Sequence, residues 1–178
     1  MSNRNNFIWK LIQVICWVIF IGYCIQTGGL LFNYIYSLFK PIATHNLYLG
    51  LDLSELYSES KLLYTLVFTL IMIISTLKAY VFYFAIKLFK TLNFVKPFTE
   101  DISEINFKIT YFTFSIGIIS IIAQAIISKI SEIGYNAGSV VIFWEDGNAY
   151  LFMSAILFVI TLIFKKGIEL QNENDLTV

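Results

Sequence analysis

The sequence predicts an all-α membrane protein, a bundle of four transmembrane helices, and three observations carry that prediction. Of 178 residues, 58% are hydrophobic and only 13% charged, about half the charge of an ordinary soluble domain. Mean hydropathy is +0.75. Four stretches are long and apolar enough to cross a hydrocarbon core of about 30 Å, which takes about 20 helical residues. Unalternating runs of Ile, Leu and Phe point to helices, which satisfy every backbone N–H and C=O within the segment, and not to barrel strands. Twelve basic and twelve acidic residues cancel, so direct nucleic-acid binding through a basic surface is excluded.

The chain, 1–178, is read as a single integral membrane domain. The first span, about 11–31, lies in a charge-free run from Leu11 to Phe39. That run is too long for a signal peptide and no small-x-small cleavage pattern follows it, so it reads as an uncleaved anchor. The pair Gly28-Gly29 marks a weak point, and Cys16 and Cys24, too far apart to bridge, read as buried small hydrophobes. The second span, about 62–86, is interrupted only by Lys78. The third, about 109–128, and the fourth, about 147–164, carry no charge.

Orientation follows from Lys and Arg in the flanks. Arg4, Lys10, Lys87, Lys90, Lys96, Lys108, Lys165 and Lys166 fall on one side, whereas Lys40, Lys61 and Lys129 fall on the other. Both termini and the 87–108 connection are therefore expected in the cytoplasm.

The connections carry the remaining pattern. In the first external one, Leu47, Leu49, Leu51 and Leu53 alternate with a strand's period, and in the third, Ser139 to Trp144 is β-branched and aromatic. The two could pair as a small external β-ribbon; the alternative is that each apolar side chain dips into the interface. In the cytoplasmic connection Pro97 ends one segment, Thr99 can cap the next helix, and Glu100 with Asp101 complement its positive end. Phe98, Ile102, Ile105 and Ile109 share one helical face that can rest on headgroups or on a partner.

Few residues suggest chemistry. A charge inside a span costs roughly 2.5–3.5 kcal/mol at its centre, so Lys78 needs a reason. Either its stem snorkels to the headgroups or its ammonium faces the bundle and holds an anionic lipid or ligand; no acid lies deep in a span to pair with it. Gln13, Gln26 and Gln124 suit interhelical hydrogen bonds, and Thr113 with Gly117 marks a close-packing face. His45 stands alone in a loop, and no metal site, cofactor site, nucleophile-base pair or phosphate loop is present in the sequence. The expectation is a protein that is not an enzyme and needs no cofactor.

Lys96-Pro97-Phe98-Thr99-Glu100 before the third helix, and Gly167-Ile168-Glu169-Leu170-Gln171 running to Val178 at the end, resemble the motifs of a bacterial family of four-helix membrane proteins, domain-of-unknown-function family 2975. The resemblance implies no established activity. Members are often encoded beside a small helix-turn-helix regulator, which implies a bacterial cytoplasmic-membrane protein that senses through, or sequesters, a transcription factor. On this reading Pro97, Phe98, Thr99, Glu100, Glu169, Leu170 and Val178 dock a cytoplasmic helix-turn-helix partner. The second reading is a small transporter or lipid-binding accessory subunit, acting as a homo-oligomer, with Lys78 at its lipid or ligand site.

Overall fold

The computed structural model describes residues 3–93, 96–135 and 137–176. Five α-helices follow in order: α1 (Asn3–Phe39), α2 (Ser54–Glu59), α3 (Lys61–Thr91), α4 (Glu100–Glu132) and α5 (Gly147–Leu176). All but the short α2 are long and apolar enough to cross a membrane. The protein is thus a multi-pass all-α membrane protein, as its composition requires.

The long helices pack in chain order. α1 lies along α3, α3 along α4 and α4 along α5, while among the described residues α1 and α5 make no backbone approach. The bundle is open on that side, where the side chains of Tyr23 and Tyr150 lie near each other. Val18, Ile25, Phe32 and Phe39, seven residues apart, are exposed along α1 as a lipid-facing stripe, which costs nothing in a solvent as apolar as the side chains.

Because lipid supplies no hydrophobic drive, close packing and polar contacts must hold the helices together. Gln13 donates to the Phe89 carbonyl at 3.3 Å and Gln26 to Ser75 Oγ at 3.3 Å, joining α1 to α3. Near the other end of that seam Ser37 and Tyr64 share a 2.6 Å hydrogen bond. Between α4 and α5, Asn106 donates to the Leu157 carbonyl at 3.1 Å and to Thr161 Oγ1 at 2.8 Å. Gly117 packs directly on Leu151 and Gly147 on Ser120; a Cβ at either glycine would overlap its neighbour. The Gly117 close-packing face is as expected.

Gly28-Gly29 does not weaken α1, which is continuous through both. Gly29 is small for a different reason: the Tyr48 ring lies against it, 2.8 Å from where a Cβ would sit. Cys16 is buried, but Cys24 is exposed on the lipid side, contrary to the reading of both as buried.

The external β-ribbon does not form, and no strand occurs among the described residues. Leu47, Leu51 and Leu53 do point inward and are almost fully buried with Leu56, and Leu49 is exposed. Their alternation ends in a turn, because Leu49 (φ 62°) and Gly50 (φ 73°) both take left-handed backbone. The chain therefore folds back on itself, with Leu47 N–H donating to the Leu51 carbonyl at 2.8 Å. The other segment, Gly138–Phe143, is a 3-10 helix. Three residues per turn put Val140 and Phe143 on one buried side. The two segments touch at Ser139 Oγ, 3.3 Å from the Asp52 carbonyl.

α4 begins as its sequence dictates. Thr99 is extended and its side chain accepts from Ile102 N–H at 3.4 Å. Ile102, Ile105 and Ile109, however, are buried in the bundle, so this face packs within the protein and offers nothing to headgroups or a partner.

Replacing Gly117 by Val should lower stability by about 1–3 kcal/mol, the usual cost of overpacking. Gly28→Ala, with nothing within 4 Å of the new methyl, should be neutral or slightly stabilising. Thermal unfolding in mild detergent measures both. At the loop, Asp52 accepts from Ser54 N–H at 2.9 Å and from Ser54 Oγ at 2.7 Å, and these bonds hold its carboxyl below the usual carboxylate range. A lowered native pKa adds stability above the ordinary range that is lost as pH falls through the native value. Amide protection across 54–59 should therefore drop on acidification through that range, and Asp52→Asn should flatten the dependence.

Candidate functional site

Lys78 lies inside the apolar part of α3, about 25 Å along the helix from Lys61 and about 13 Å from Lys87 at 1.5 Å per residue. Its side chain does not snorkel. The residue is 5% exposed, and its ammonium donates to Asp146 Oδ1 at 2.9 Å, Asp146 Oδ2 at 2.8 Å and the Phe143 carbonyl at 3.1 Å. A lysine ammonium has three donors, and these partners occupy all of them. The Tyr150 ring lies beside the charge, its centroid 5.4 Å from Nζ, close enough for cation–π attraction.

The partner reaches this depth because the chain turns back into the bundle after α4. Val140, Phe143 and Trp144 are buried, and the Trp144 indole donates to Gln124 Oε1 at 3.1 Å, fixing the segment on α4. Gly147, lacking a side chain, then settles against Ser120. α5 starts there, with Tyr150 N–H donating to the Asp146 carbonyl at 3.2 Å. Asp146 therefore stands at the positive end of a 30-residue helix.

The expectation that no acid would pair with Lys78 is thus corrected. The signal was present: Asp146 immediately precedes the fourth span, and a lysine buried in lipid requires an anion. Tyr23 and Tyr150, which complete the surroundings, carry no sequence signature beyond lying in spans. The pair is unequal, because the lysine side chain is 7% exposed and the aspartate 40%.

The other predicted residues gather at the end of the bundle that carries both termini. Phe98 packs edge-on against Phe164, centroids 5.4 Å apart at 62°, and covers Gly167, where a Cβ would overlap its ring. The connection motif and the tail motif are therefore in contact. Thr99 is spent on capping α4, Pro97 is half-buried, and Glu100 is exposed in the first turn. Glu169 pairs with Lys166 at 2.7 Å, Leu170 is exposed and Ile168 buried. Val178 lies outside the described residues. His45 is not alone, since its Nδ1 lies 3.9 Å from Asp52 Oδ2.

A family model described as "Protein of unknown function (DUF2975)" matches residues 48–178, a span that holds both the Lys78–Asp146 pair and the Phe98–Gly167 contact. No curated protein and no solved structure matches the chain.

Breaking a buried ion pair by removing one partner costs about 3–5 kcal/mol, and removing both costs much less. Asp146→Asn leaves the more deeply buried ammonium alone and should be the more damaging single change. Lys78→Met should cost less, because the remaining carboxylate is partly exposed and sits at a helix N-terminus. The double variant should recover part of the loss, as read by unfolding in detergent or by yield of folded protein.

Proposed function

The chain belongs to the DUF2975 family, and from that premise we propose that it is a regulatory or sensory membrane subunit that docks a soluble partner at the end of the bundle bearing both termini. In this reading it lies in the bacterial cytoplasmic membrane, both termini and the 87–108 connection face the cytoplasm, and the partner is a helix-turn-helix transcription factor. The protein itself is not an enzyme and binds no nucleic acid. The supporting observation is the contact of Phe98 with Phe164 and Gly167, which joins the connection and the tail into one surface. That surface presents Glu100, Lys165, Glu169 and Leu170, all exposed. Because α5 is one helix from Asp146's neighbour to Leu176, a shift at the Lys78–Asp146 pair would move the tail with it.

The second reading, a small transporter or lipid-binding accessory subunit assembled as a homo-oligomer, draws on the ion pair itself, since ionisable residues within a membrane commonly mark ligand or ion pathways. The readings separate by experiment. Gentle solubilisation and capture of the full chain should recover a helix-turn-helix protein, and deletion of Gln171 to Val178 together with Leu170→Asp should release it. Recovery of the same partner in the same amount with that variant, or of none with the intact chain, would refute the docking reading.

A further inference from the structure

A second polar site lies on the opposite side of the α5 start from Lys78, and it is independent of the docking surface. Between α4 and the turn leading into α5 is an open pocket of about 510 Å³ with Ser120, Gln124, Ser128, Trp144, Glu145 and Asn148 in its wall. Glu145 is its one charged residue, exposed and without an ion-pair partner among the described residues. Ser120 is 2% exposed and lies against Gly147, so the polar groups a ligand can reach include those of Gln124, Asn148 and Glu145, all exposed. Trp144 occupies Gln124 Oε1, which leaves the amide's Nε2 as a donor. The wall thus offers an anion at one point and neutral donors beside it.

We propose that this pocket binds a zwitterionic headgroup carrying a primary ammonium and a phosphate, as part of a membrane lipid. The ammonium pairs with Glu145, and the phosphate accepts from the side-chain amides of Gln124 and Asn148 near the positive end of α5. One carboxylate with neutral oxygens suits an ammonium better than a divalent metal, and no group of three metal-binding side chains occurs among the described residues. That the ligand is a lipid follows from the continuation of the same groove. Phe107, Phe114, Ile121 and Ser128 recur every seven residues on α4 and so share one face. Below the polar pocket this face meets α5 in a second pocket of about 500 Å³, lined by aromatic and aliphatic side chains such as Phe114, Leu151 and Phe158. Acyl chains fit there, and the headgroup lies toward Lys129, where the apolar run of α4 ends.

The test uses the full chain purified in mild detergent and exchanged into nanodiscs of equal parts phosphatidylethanolamine and phosphatidylglycerol, with lipids retained on release read by native mass spectrometry. The intact protein should retain phosphatidylethanolamine preferentially. Glu145→Gln, an exposed isosteric change, should lower that retention about tenfold, the worth of one charge-assisted hydrogen bond, with phosphatidylglycerol retention unchanged. No preference in the intact protein, or an unaltered preference in the variant, overturns the proposal. Soluble glycerophosphoethanolamine competing as well as the whole lipid would overturn the assignment to a lipid, whereas competition only at far higher concentration supports it.

Discussion

A lysine ammonium in the apolar middle of a membrane helix must find an anion, and much of this fold can be understood as the means of delivering one. Lys78 is too far from either end of α3 for water to neutralise it, so the charge is met by Asp146 and the Phe143 carbonyl. To place them the connection after α4 descends into the bundle as a 3-10 turn, buries Val140, Phe143 and Trp144, and releases the chain into α5 from inside the structure. Gly147 makes the descent possible by letting the backbone lie on Ser120. In lipid, where apolar contact between helices gains little, such a pair specifies register more than it adds stability.

The same constraint explains the openness of the bundle. Among the described residues α1 packs only on α3 of the long helices, and its Tyr23 lies near Tyr150 of α5. Tyr150 also flanks the Lys78 ammonium, so the ion pair and the open seam are parts of one polar layer across the middle of the molecule. α5 leaves that layer and runs to the end where Phe98 rests on Gly167. One continuous helix thus connects the charged interior with the surface that carries both sequence motifs.

Much of this architecture was legible in the sequence because the bilayer leaves few choices. The four spans followed from apolar length, the start of α4 from Thr99, and the interhelical roles of Gln13 and Gln26 from the cost of an unpaired amide in lipid, whereas Gln124 holds Trp144 of the connection and not a second helix. What escaped was tertiary. Leu47 to Leu53 alternates like a strand, yet left-handed backbone at Leu49 and Gly50 turns it into a cap. Ile102, Ile105 and Ile109 formed the expected face, but periodicity cannot say whether a face meets protein or solvent, and here it meets protein. Asp146 was overlooked because it sits at the edge of a span 68 residues from its partner; only the requirement that Lys78 be neutralised could have singled it out.

The central claim is that Lys78 and Asp146 are in direct contact inside the membrane. Solid-state NMR on the full chain in lipid bilayers, with lysine labelled at 15Nζ and aspartate at 13Cγ, reads that contact directly, and Lys78→Met assigns the signal to this pair. A dipolar recoupling signal reporting a hydrogen-bonded pair, consistent with the 2.8 Å N–O separation and lost in Lys78→Met, is the predicted result. Absence of short-range coupling in the intact protein, or coupling that persists in Lys78→Met, would contradict it.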